Sequence, residues 1–183
     1  MRCLFALFLM CSMVTNASAE SSPEATLDKY FDILQGQDFK GISALMDSTS
    51  MANLKTIMGD AMRYQANHGV YRLQRRIFGK KVSMSQVKAT SAEFYLNSLA
   101  SEILNAAKTQ RLVVDNIAVL GRVDDGENIV HIVARLTMSQ DNKEGTDVLV
   151  YTLIREDDDW RLKFPITIKQ MLTVIETTAR KIR

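Results

Sequence analysis

Up to about Lys108 apolar residues recur at helical spacing, whereas from Arg111 they alternate or cluster in β-branched and aromatic runs. One change of period along the chain, with no Pro/Gly-rich linker, repeat or low-complexity tract beside it, predicts a single α+β domain. On this reading N-terminal helices pack on a curved four-stranded antiparallel meander, and a C-terminal helix follows.

The helical half opens at Ser22-Pro23-Glu24. Ser22 is placed as N-cap, Pro23 sits where its missing N–H costs nothing, and Glu24 lies near the positive helix end. Leu27, Tyr30, Phe31 and Leu34 fall on one face and Gly36 is expected to stop the helix. A short helix capped by Asp38 is predicted to bury Phe39, Ile42, Leu45 and Met46. A third, from about Met51 to Asn67, aligns Met51, Leu54, Met58, Ala61 and Met62. The Thr90-Ser91-Ala92-Glu93 run has capping-box spacing and opens a helix to about Lys108 through Leu96, Leu99, Ile103 and Ala107. Residues 70–89 show no clear period, and helix, short strand and loop all stay open.

The expected strands are Leu112–Val123, Asn128–Met138, Thr146–Arg155 and Trp160–Phe164, each ending in turn residues. Val130, Ile132, Ala134, Leu136 and Met138 form one apolar face of the second strand; His131, Arg135 and Thr137 lie on the other. After Pro165, Thr167-Ile168-Lys169-Gln170 repeats the capping-box spacing, followed by a stripe of Ile168, Met171, Leu172, Ile175, Ala179 and Ile182. Four acidic residues, Glu156 to Asp159, stand between two strands. Their spacing lacks the central Gly and terminal Glu of a twelve-residue calcium loop, so they read as a solvated hairpin turn.

Residues 1–19 combine Arg2, an apolar run from Cys3 to Val14 and an Ala17-Ser18-Ala19 ending, the layout of a signal peptide cut after Ala19. The run is shorter than the roughly 20 residues of a membrane span. Periplasmic or secreted localisation is therefore expected, with residues 20–183 as the mature domain. Both cysteines, Cys3 and Cys11, lie in the cleaved segment, so the mature fold relies on its core rather than on disulfides. The net charge of +2 for the whole chain gives no case for nucleic acid as partner. No Gly-x-Ser-x-Gly elbow, phosphate-binding glycine loop, His-Glu-x-x-His or dinucleotide fingerprint occurs, and no cofactor or metal is implied.

The first helix with its exit, ATLDKYFDILQGQDFKGISALMD, and the acidic turn and strand DDDWRLKF resemble the nuclear transport factor 2-like superfamily, the cystatin-like α+β cone. That resemblance implies helices packed on the concave face of a bent sheet with a pocket between. The extra helical material from Met51 to Lys108 and the last helix depart from the pattern. The superfamily holds isomerases, dehydratases, small-ligand binders and interaction modules, so fold alone does not choose among them. Its enzymes use carboxylates, tyrosines or histidines that point into the pocket. Carried over, that makes Asp115, His131, Arg135, Tyr30 and Tyr64 the candidate ligand-binding residues. Asp115 stands alone among Val113, Val114 and Ile117, where desolvation would raise its pKa; the alternative, which is preferred, is that it and Asn116 mark a bulge or the wet face. His68, at a helix end, reads as a dipole partner, and the methionine stripe reads as core in preference to a copper site with His68.

Arg72, Arg75, Arg76, Lys80 and Lys81 concentrate positive charge, with Tyr71 and Phe78 beside them, and form a candidate patch for an anionic partner or peripheral membrane contact. The expectation is an exported non-catalytic binding or protein-interaction module. Its partner would be an apolar small molecule or an envelope protein, and a homodimer is compatible with it. The rival is a small isomerase or dehydratase acting on a hydrophobic substrate by proton transfer.

Overall fold

The computed structural model describes residues 22–39, 41–141 and 143–181. The signal-peptide reading of residues 1–19, and Ile182 and Arg183 at the end of the last helix, lie outside them. The described elements run in the order α1 (Pro23–Gly36), α2 (Ile42–Leu45), α3 (Ser48–Asn67), α4 (Arg72–Phe78), α5 (Met84–Ala89), α6 (Ala92–Thr109), β1 (Leu112–Asp124), β2 (Ile129–Gln140), β3 (Lys143–Glu156), β4 (Asp159–Leu162) and α7 (Ile166–Arg180). All strand pairs are antiparallel and adjacent in sequence, so the sheet is a meander, as the short turns predicted. None of the described helices is long and apolar enough to cross a membrane.

Local chemistry explains most boundaries. Ser22 Oγ accepts from the Ala25 amide at 3.0 Å, with Pro23 inside the first turn. α1 ends at Gly36 as expected, and the next residue, Gln37, takes the left-handed conformation, at φ 51°, and turns the chain. The third helix starts three residues earlier than expected, because Asp47 Oδ1 caps the Ser50 amide at 2.9 Å. The expected cap at Asp38 is replaced by Gly41, whose φ of 78° is a conformation glycine adopts freely.

The capping boxes expected at Thr90 and Thr167 do not form there. At α6 the cap is Ser91, which accepts from the Phe94 amide, while the Thr90 hydroxyl donates back to the Gln86 carbonyl and finishes α5. At α7 the cap position is Pro165 and Thr167 already lies within the helix. A reciprocal box does occur at α5, between Ser83 and Gln86, in the stretch whose period could not be read.

The acidic run is a turn. Glu156 pairs with Asp159 across the β3–β4 hairpin, and Asp157 and Asp158 between them both have positive φ, 50° and 67°. A two-residue connection of that conformation matches the strand twist, and aspartate tolerates it better than most residues. Glu156 has a further use: its carboxylate accepts from the Ser48 amide at 3.1 Å and the Ser48 hydroxyl at 3.0 Å. The hairpin thus ties β3 to the N-terminus of α3, where negative charge is stabilised.

The core lies between the sheet's inner face and the helices. Val130, Ile132, Ala134 and Leu136 of β2, Tyr151 and Leu153 of β3 and Leu162 of β4 are all buried against Leu27, Leu54, Met58, Met62, Leu96 and Leu172. Met58 and Met62 are fully buried, so the methionine stripe serves the core. Among the described residues nothing covers the outer face, and Val123, Val148 and Val150 are more than half exposed there.

Candidate functional site

Period-2 geometry places alternate residues of a strand on one face, and the register extends each set across the sheet. Ile132 stands opposite Tyr151, Ala134 opposite Leu149, Leu136 opposite Asp147 and Val114 opposite Met138. Toward the end of the sheet where β1 begins, this inner face is the floor of a cavity of about 320 Å³. Tyr30 and Leu34 of α1, Phe39 and Ile42 around α2, and Leu96, Leu99, Ala100 and Ile103 of α6 form walls, and Pro165, Ile168 and Met171 close it from the α7 side. The lining is aliphatic and aromatic apart from the hydroxyls of Tyr30, Tyr151 and Thr167 and the carboxylate of Asp147. The volume is at the lower end of the range of about 300–1,000 Å³ typical of small-molecule sites.

Tyr30, Phe31 and Tyr151 pack as an edge-on cluster, with ring centroids 5.8 Å apart for Tyr30–Tyr151 and 5.3 Å for Phe31–Tyr151. Burial disfavours ionised phenols. It pushes Tyr151 from 10.0 to about 12, and pushes Tyr30 further up, with repulsion from Tyr151 adding to the effect. Both hydroxyls are therefore neutral donors throughout the physiological range. Below about pH 10 both phenols are protonated whether the chain is folded or unfolded, and above it the unfolded chain releases its protons first. Stability contributed by the pair is expected to be intact below about pH 10 and to fall as pH rises from about 10 to about 12. Urea unfolding across that window checks this. The Tyr30→Phe/Tyr151→Phe protein should show a shallower fall, and an unchanged profile would contradict the assignment.

Of the five candidates, Tyr30 alone lines the cavity. Tyr64 faces another part of α3's surface: its hydroxyl donates to the Arg180 carbonyl at 3.4 Å, and its ring stacks on His68 at 4.4 Å. Asp115 sits at a break in the β1–β2 register between Val114 and Asn116, exposed, accepting from the Ser139 hydroxyl at 3.1 Å. The bulge reading accounts for it. His131 and Arg135 lie on the outer face of β2, with His131 Nδ1 3.0 Å from Thr152 Oγ1 and Nε2 3.8 Å from the Asp125 carboxylate. The structure does not bring Asp115, His131 and a tyrosine together.

The basic residues sit on α4 and the loop after it, and none lines the cavity. Arg76 pairs with Glu102 of α6 at 2.6 Å and Lys81 lies 3.9 Å over the Tyr71 ring, so part of the charge is used within the fold. Sequence reasoning missed Tyr151 and Asp147. The Leu149-Tyr151-Leu153 alternation in β3 carried the signal for the first, blurred by apolar Val148 and Val150 on the opposite face.

No family model and no curated protein matches the chain. Among solved structures, a SEC-C motif containing protein from Rhodopseudomonas palustris aligns at TM-score 0.43 and 11% identity, over 79% of this chain and 77% of that one. A protein from Campylobacter jejuni described as a candidate NTF2-like transpeptidase aligns at TM-score 0.41 and 13% identity, over 79% of this chain and 99% of its own.

Proposed function

We propose that this chain is an exported binding module that holds a small apolar molecule between its sheet and helices. The observation carrying the proposal is the cavity of about 320 Å³, apolar on nearly every wall and backed by two buried tyrosines. Export rests on the leader-like composition of residues 1–19. The rival proton-transfer enzyme draws no support from the positions of Asp115 and His131, neither of which lines the cavity. A second reading, a docking face for an envelope protein, is favoured by the exposed Val123, Val148 and Val150 on the outer sheet face.

The test is titration with N-phenyl-1-naphthylamine, a neutral apolar fluorophore that brightens on leaving water. Saturable binding at one site per chain is expected. Linear, unsaturable enhancement would count against an internal site.

A further inference from the structure

Along β3 the inner face reads Leu153, Tyr151, Leu149 and then Asp147, and the register sets Asp147 opposite Leu136 of β2. Leu153 and Tyr151 are buried, Leu149 is half-buried and Asp147 is exposed, so the row passes from core to solvent at this carboxylate. Asp147 therefore marks the rim of the cavity. Among the described residues it is the one charged side chain in the lining, and no ion pair or hydrogen bond engages it. Basic side chains at this end of the sheet are engaged or distant. Arg111 pairs with Asp141 at 3.5 Å, and Lys108 lies in the last turn of α6, at that helix's negative pole. Lys143, four residues before Asp147, is about 13 Å away along the strand, further than the screening length of about 8 Å at physiological salt.

A molecule with an apolar chain in the cavity leaves its head group at the rim, and the charge there decides which head is tolerated. A carboxylate or phosphate head would stand against Asp147 with no cation in the lining to offset it. A cationic head would gain a partner beside apolar walls, where attraction is stronger than in open water. We infer that the cavity takes a cationic amphiphile, its hydrocarbon chain against the apolar walls and its ammonium group at Asp147. This rests on the proposed binding function and adds a head group to its apolar ligand.

The experiment displaces N-phenyl-1-naphthylamine at neutral pH with decylammonium, 1-decanol and decanoate, which share a chain and differ in the charge of the head. The wild-type protein is expected to bind decylammonium about fivefold more tightly than 1-decanol and decanoate about fivefold more weakly, the upper scale of a partly exposed charge pair. In the Asp147→Asn protein both ratios should shrink to less than about twofold. Equal binding of the three heads by the wild-type protein, tighter binding of decanoate, or a decylammonium preference that persists in Asp147→Asn would overturn the inference while leaving a cavity that binds apolar molecules. Failure of the fluorophore and of all three competitors would overturn the binding function itself, and the inference with it.

Discussion

Ala100→Trp is expected to reduce binding of N-phenyl-1-naphthylamine by about 100-fold or more, a loss of about 2.7 kcal/mol. Ala100 is 3% exposed and lines the cavity from α6, between Leu99 and the turn bearing Ile103. An indole there grows into the space a ligand would take, since the walls are packed helix and sheet with little room to retreat. Overpacking carries its own cost, of about 1–3 kcal/mol, so the variant should melt earlier while keeping its far-ultraviolet circular dichroism. Retained fluorophore affinity in a folded Ala100→Trp protein would place binding elsewhere.

Leu153→Ala should destabilise the protein by about 3 kcal/mol, read as a lower urea midpoint with little change in slope. Leu153 is fully buried and stands where three strands meet, paired with Val130 on β2 and Leu162 on β4. Truncation leaves a void bounded by the sheet on one side and the helices on the other. Domains of this kind hold roughly 5–15 kcal/mol in total, so the change removes a large share. Val150→Ala, three residues earlier on the same strand but 57% exposed on the outer face, should cost less than about 1 kcal/mol. Similar losses at the two positions would mean that the outer face is buried in solution.

The order of elements was legible because each half of the chain has one dominant period and each strand ends in residues that tolerate turn geometry. Helix ends were less so. Thr90 and Ser91 are both able caps, and nothing local says that the Thr90 hydroxyl is taken by the Gln86 carbonyl of the preceding helix. Asp47 carries no local sign of its capping role, because its placement depends on where β4 runs: its amide donates to the Leu162 carbonyl at 3.0 Å. Residues 70–89 fold into two helices of seven and six residues, each too short to display a period, and the Gly79 turn between them hides both.

The cavity was almost invisible in sequence for a different reason. Its lining comes from α1, α2, α6, α7 and three strands, each contributing residues that look like ordinary core. Polar residues conspicuous among apolar neighbours, such as Asp115 and His131, drew attention, yet a polar residue inside a strand is most easily accommodated on the outer face or at a bulge, where both are found. The informative residues were tyrosines in apolar positions, and only the assembled fold shows that Tyr30 and Tyr151 line the cavity whereas the Tyr95 hydroxyl donates to the Val87 carbonyl.

The most direct measurement is methyl-labelled NMR of the protein with bound N-phenyl-1-naphthylamine. Intermolecular nuclear Overhauser effects to methyl groups of Leu99, Ile103, Leu136 and Ile168 are predicted. Effects confined to Val123, Val148 and Val150 would locate binding on the outer sheet face and contradict the account.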